Sequence, residues 1–242
     1  MYIFYCPEIN LKQIISLPEK EMHHAVHVLR LKAGDQMQLI DGKGNIYAAE
    51  IIEISKRGCS VKIISTHQQK KENNFNLHIA IAPTKSSNRF DLFLEKVTEI
   101  GIDEITPLLC NNSERRKINI EKVEQTLIAA IKQSGRAYLP VLNPLTEFNA
   151  FIKDHENNTA QKFIAHCKSG QKQTLAHVLK PNSDVTILIG PEGDFTTDEI
   201  DIAMKNKFVP ASLGSYRLRT ETAGIVTCQT IHTISEIHQH EK

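Results

Sequence analysis

From Asn76 onward the chain alternates short apolar strands with amphipathic helices, and this rhythm restricts the fold more than any other feature. Residues 77–82 read as a buried strand, followed by a helix with Phe90, Phe93, Leu94, Val97 and Ile100 on one stripe. Asn88 with Asp91 three residues later forms its start. A strand over 104–109 and a helix over 120–134 come next, the latter with Val123, Leu127, Ala130 and Ser134 on one face. The pattern continues with helices at 146–153, 174–179 and 197–207 and strands at 162–167, 185–190 and 210–213. A last helix over 221–237 places Ala223, Val226, Thr230, Ile234 and Ile237 on an apolar stripe. Such alternation argues for an α/β fold with a mostly parallel sheet covered on both faces.

The first seventy or so residues follow another rhythm. Strands are expected at 36–40, 46–54 and 60–65, with Asp41-Gly42-Lys43-Gly44-Asn45 as a hairpin loop whose glycines supply positive φ. One helix interrupts them, opened by Pro18 near its first position and carrying Met22, Val26 and Leu29. Several short strands in so short a stretch point to a small β-barrel. The polar run 67–74 reads as a linker, giving expected domains of 1–72 and 73–242. At 242 residues and 40% hydrophobic content the chain can bury a real core, which excludes general disorder.

No run approaches about 18 uncharged apolar residues, so no membrane helix is expected. The start MYIFYCPEIN lacks the pattern of a signal peptide. Five cysteines without metal-like spacing read as reduced thiols, and a soluble, cytoplasmic protein is expected. A net charge of +1 means that nucleic-acid contact must come from local patches.

In open α/β sheets ligands bind beyond the carboxyl ends of strands, and three such ends carry unusual loops. They are Gly190-Pro191-Glu192-Gly193-Asp194-Phe195 before a Thr196/Glu199 capping box, the stretch Leu213-Gly214-Ser215-Tyr216-Arg217-Leu218-Arg219, and His166-Cys167-Lys168-Ser169-Gly170 after Ala165. Glycines there let a ligand approach the backbone, although tight turns alone would also use them. Neither a G-x-G-x-x-G helix start nor a G-K-[ST] phosphate loop occurs, which weighs against dinucleotide hydride transfer and phosphate-loop hydrolysis.

Leu188-Ile189-Gly190-Pro191-Glu192-Gly193, with Ser212-Leu213-Gly214 and Leu218-Arg219-Thr220-Glu221-Thr222-Ala223, resembles the signature of RsmE-type enzymes. These are 16S ribosomal RNA (uracil-N3) methyltransferases of the SPOUT superfamily. Glu95-Lys96-Val97-Thr98-Glu99-Ile100-Gly101, Gln133-Ser134-Gly135-Arg136, and His24 with Val28-Leu29-Arg30 and Gly34-Asp35 resemble further segments in the same order. The sequence departs at Asp194, where a third glycine is common, at Lys132, where Glu is frequent, and at Ser86-Ser87-Asn88-Arg89 after Lys85.

The resemblance implies a PUA-like RNA-binding barrel, then a SPOUT sheet whose C-terminal segment forms a trefoil knot. It implies a homodimer that uses S-adenosyl-L-methionine, with 16S rRNA in the assembled small subunit as substrate. Ala165, Ile189, Gly190, Glu192, Gly193, Leu213, Gly214, Leu218 and Thr222 are expected at the cofactor. His24, Arg30, Lys85, Arg89, Arg115, Arg116 and Arg136 are expected to contact RNA. Uracil N3 carries a proton, so a cation should stabilise the developing anion and a carboxylate or water should take the proton. Arg219 is assigned the first role and Glu221 the second, as base or orienting group. A non-catalytic RNA-binding protein that keeps the fold is the alternative, and a different nucleotide in the same loops is another.

Other conspicuous residues carry bland assignments. His23 and His27 stand four apart but lack a third ligand, so no metal is expected. Cys167 and Cys228 read as structural, because methylation at a ring nitrogen needs no covalent adduct. His238 and His240 read as a solvated tail. Arg115-Arg116-Lys117 fits a solvated face and a phosphate contact equally well.

Overall fold

The computed structural model describes residues 1–9, 13–55, 58–71, 73–170 and 172–239, so His240 lies outside the described residues. Two compact units emerge: Met1–Glu72 with Ile128–Leu139, and Asn73–Leu127 with Pro140–Lys242. The expected division at 72/73 therefore misses that Ile128–Leu139 belong with the first unit. There Ile131 and Ala137 pack with Ile40, Ile3, Tyr5, Ile46 and Leu139 in an apolar cluster of their own. A polar linker marks where the chain leaves a unit, but it carries no sign of a later return.

The first unit contains β1 (Ile3–Tyr5), β2 (Ile14–Ser16), α1 (Glu19–His23), β3 (Gln36–Ile40), β4 (Asn45–Ser55) and β5 (Gly58–Gln68). Its mixed sheet runs β1-β3-β4-β5-β2, parallel only between β1 and β3. Alternate residues Met37, Leu39, Ala49, Ile51, Cys59 and Val61 join Phe4, Leu17 and Ala25 in the core. Gly42 and Gly44 take φ of 75° and 101° in the expected hairpin loop, where Asp41 Oδ1 accepts from the amides of Lys43 and Asn45. The single helix expected to reach Leu29 instead changes at His24 into a π-helical turn, His24–Val28, closed by Leu29 N–H on His24 O at 3.0 Å. Side-chain spacing alone does not distinguish so short a change of hydrogen-bond pattern. The expected linker is also shorter, because β5 extends through Gln68.

The second unit holds β6 (Leu77–Ile81), α2 (Ser87–Ile100), β7 (Glu104–Leu109), β8 (Val141–Leu142) and β9 (Thr146–Glu147). Helix α3 (Ile120–Ser134) begins in it. Then come α4 (Phe148–Asp154), β10 (Gln161–Ala165), β11 (Gln173–Thr174), α5 (Leu175–Val178), β12 (Val185–Ile189), α6 (Thr197–Lys205), β13 (Val209–Ser212) and α7 (Thr220–Gln239). All the pairings are parallel, in the order β11-β13-β10-β12-β6-β7-β8, with β9 also on β7. Strand β12 is buried throughout, as a strand covered on both faces must be. Because β13, β10 and β12 are neighbours, the loops that follow them emerge side by side at one sheet end.

The apolar stripe of α7 is not the face that the helix buries within the chain. Its buried residues are Thr220, Glu221, Gly224, Thr227, Cys228, Ile231, His232 and Ser235, whereas Ala223, Val226, Thr230 and Ile234 are only half-buried and Ile237 is exposed. Helix α2 lies so close to the buried face that only glycine fits at 224, where a Cβ would stand 2.5 Å from the Phe93 ring. Hydrophobic spacing does not register such a close approach, which is a matter of packing between the helices.

Candidate active site

Two adjoining clefts open where those three loops meet. The first, of about 250 Å³, is walled by Ala165, Cys167, residues 189–192, Asp194, residues 217–220 and Ala223. The second, of about 280 Å³, is walled by residues 165–167, Lys172, residues 211–218 and Ala223. Ala165, Cys167, Arg217, Leu218 and Ala223 are common to both.

The loop after β12 is fixed from several sides. The Thr196/Glu199 capping box forms as expected, and Glu199 Oε1 also accepts from Asn111 N–H at 2.9 Å. Asn112 Nδ2 donates to the carbonyls of Gly193 and Asp194 at 3.2 and 3.0 Å. Asp194, the departure from glycine, takes φ 64°, a left-handed conformation that aspartate tolerates. Its carboxylate then makes a link glycine lacks: Oδ2 accepts from Cys167 N–H at 2.9 Å, joining the β10 and β12 loops. Thr220 Oγ1 donates to Gly190 O at 3.0 Å and Arg217 Nη2 to Glu192 O at 3.1 Å, joining the β13 and β12 loops.

Of the expected cofactor residues, Ala165, Ile189, Gly190, Glu192, Leu213, Gly214 and Leu218 all stand on cleft walls. Gly193 and Thr222 do not line them; the Gly193 backbone is turned to Asn112 instead. Gly214 sits at φ 139° with nothing within 4 Å of an added Cβ, so bare backbone faces open space. Gly190 serves packing as well, since a Cβ there would approach the Phe195 ring to 3.0 Å.

Arg219 is exposed on the first cleft, with no side-chain partner among the described residues. Glu221 lies beside it in sequence but not on the wall. It is buried, with Oε1 3.8 Å from Arg89 Nε and Oε2 unpartnered among the described residues. Arg89 is thus drawn toward a carboxylate, and Lys85 pairs with Glu114 at 2.7 Å on the surface. Lys85, Ser87, Glu114 and Arg115 border a separate open hollow, and Arg116 is exposed nearby in sequence. His24, Arg30 and Arg136 belong to the first unit, where the His24 ring packs edge-on against Phe4 and Arg30 is exposed at φ 57°.

Sequence reasoning singled out neither Arg217 nor Lys172, whose only signal was membership of the strand-end loops. Burial, then the Lys172 cation, push the His166 imidazole below its usual pKa. No group of three or more His, Cys, Asp or Glu suited to a metal occurs among the described residues.

Residues 71–232 match the RNA methyltransferase domain family, and residues 17–64 match the RNA methyltransferase PUA domain. The chain is 30% identical over 217 residues to the ribosomal RNA small subunit methyltransferase E of Rickettsia conorii, covering 89% of this chain and 88% of that one. The chain belongs to the ribosomal RNA small subunit methyltransferase E family. Among solved relatives of this family's fold, a probable rRNA-methyltransferase from Porphyromonas gingivalis shares 38% identity and a TM-score of 0.90, covering 98% of this chain and 100% of that one. The ribosomal RNA small subunit methyltransferase E from Neisseria gonorrhoeae, solved bound to S-adenosyl methionine, shares 27% identity and a TM-score of 0.82 over 97% and 98% of the chains. Along the chain the PUA match thus precedes the methyltransferase match.

Proposed function

We propose that this protein transfers the methyl group of S-adenosyl-L-methionine to N3 of a uridine in 16S rRNA of the small ribosomal subunit. The observation that carries this is the paired cleft, in which three strand-end loops present bare backbone beside an unengaged arginine. The cofactor fits these residues: Gly214 leaves room for an adenosine against the chain, and the backbone of 189–192 and 213–218 offers donors and acceptors to read it. S-adenosylmethionine supplies an electrophilic methyl on a sulfonium, open to in-line displacement. The protein's part is to hold an acceptor nitrogen on that line and to stabilise the anion it becomes. Arg219 does the second, as a fixed cation on the wall. Glu221, buried in the first turn of α7 and facing Arg89, orients the helix start.

The proposal extends to a homodimer, a trefoil-knotted C-terminal segment, an assembled small subunit as substrate and a cytoplasmic setting. Support for the dimer comes from α7: Ala223, Val226, Thr230, Ile234 and Ile237 are left incompletely covered, and Ala223 also borders both clefts. A second copy on that stripe would complete the cleft rim. The RNA contacts fall to Arg30, His24 and Arg136 of the first unit and Lys85, Arg89, Arg115 and Arg116 of the second. Calorimetry read alongside sedimentation tests the proposal. One cofactor should bind per chain of a dimer, and Gly214→Val, folded but with bulk and restricted φ at the wall, should lose that binding. An active monomer, or normal binding in Gly214→Val, would contradict it.

A further inference from the structure

Glu192 is held at both ends. Its Oε1 accepts from Lys85 N–H at 2.9 Å, and its own carbonyl accepts from Arg217 Nη2 at 3.1 Å. Its second carboxylate oxygen, Oε2, is shielded from water and has no partner among the described residues. A buried acceptor without a donor is unfavourable, and natural structures keep few of them without a use. Glu192 stands on the wall of the first cleft, which Arg219 also lines.

We propose that Glu192 is the proton acceptor of the methyl transfer, taking the N3 proton of the acceptor uracil on Oε2. This rests on the uracil-N3 reading of the same cleft. The other acidic groups are either engaged or off this wall. Asp194, the second carboxylate on this wall, spends Oδ1 on Phe195 N–H at 2.8 Å and Oδ2 on Cys167 N–H at 2.9 Å. Glu221 is off the wall and faces Arg89. His166 has an unpartnered Nδ1, but it lines the second cleft, which Arg219 does not.

The uracil N3–H supplies the donor that Oε2 lacks. Its proton passes to the carboxylate, the N3 electron pair forms the new N–C bond, and the C–S pair of the methyl donor returns to sulfur. Arg219 meanwhile balances the charge spread over the uracil carbonyls. A cation and a base on one wall therefore divide the work that neither does alone.

Single-turnover methylation of small-subunit RNA across a pH series tests this with Glu192→Gln, Glu192→Asp and the native enzyme. Glu192→Gln should lose about 10²–10⁴ in rate, the usual contribution of a positioned base. Its S-adenosylhomocysteine affinity should change little, and its remaining rate should rise steadily with pH. RNA carrying 5-fluorouridine, whose N3–H is more acidic, should recover much of the lost rate. Glu192→Asp keeps a carboxylate and should retain the native form of the pH profile at a lower rate. A native rate and profile in Glu192→Gln would overturn the assignment. Rate and S-adenosylhomocysteine affinity lost together, without recovery on 5-fluorouridine RNA, would make Glu192 a cofactor ligand instead. A native enzyme that leaves N3 unmethylated while still binding cofactor would remove the underlying reading, a result distinct from either.

Discussion

In the proposed mechanism Arg219 carries the electrostatic part, because its guanidinium meets no described carboxylate that would neutralise it. Arg219→Ala should lower single-turnover methylation by about 10²–10³ with cofactor affinity nearly kept, as for removal of one preorganised electrostatic group. Arg219→Lys should restore only part, since a point charge does not reproduce a planar fork. Parallel loss of cofactor binding and stability would make Arg219 a loop strut. Lys132, which stands where Glu is frequent in the family, also has a structural reason: Nζ lies 2.8 Å from both oxygens of Glu21, and both side chains are largely buried. Lys132→Glu sets two carboxylates together and should cost about 1–3 kcal/mol in the first unit. Adding Glu21→Lys should recover most of it, and a thermal-melt double-mutant cycle without coupling would refute the pairing. Both departures, Lys132 and Asp194, were visible in the sequence, but their partners Glu21 and Cys167 are distant along the chain and only the fold reveals them.

At the scale of elements, periodicity located what depends on local pattern. Helix α3 has the expected span, the capping box forms on α6, and the strands of the parallel sheet appear in sequence order. Two- and three-residue strands such as β1, β2, β8 and β9 are not legible in the sequence, because so few residues show no alternation. The close approach of α2 to Gly224 of α7 is likewise not legible, since spacing carries no record of the distance between two helices. The amino-terminal region of the parallel sheet contains a buried pH-sensitive cluster. His78 Nε2 lies 2.7 Å from Thr106 Oγ1, with Glu104 at 3.8 Å and the His155 ring 5.3 Å away. Burial brings the His78 pKa down to about 4; Glu104 opposes that shift and His155 adds to it. With the folded pKa below the ordinary value of 6.5, the unfolded chain binds the proton first. Stability of the second unit from this group should be full above about 6.5 and fall as pH drops toward about 4. His78→Gln should flatten that part of the pH–stability curve, and an unchanged slope would exclude His78 as its source.

For the whole molecule, the net charge of +1 offers no general attraction to RNA, so recognition must come from placed groups and a shaped cleft. The cleft was partly legible: glycine-rich strand ends marked its loops, while the sheet order that sets them side by side was not readable from spacing. Arg217, which lines both clefts and bonds to Glu192, had no distinguishing pattern in the sequence. Methyl transfer to N3 of uridine in small-subunit rRNA is tested by following the methyl group. Purified protein is incubated with small subunits from cells lacking the activity and with methyl-labelled S-adenosylmethionine, and the digested RNA is resolved into nucleosides. Label is expected in 3-methyluridine at one position; label in a carbon-methylated pyrimidine, in another base or in no nucleoside would rule out N3 transfer.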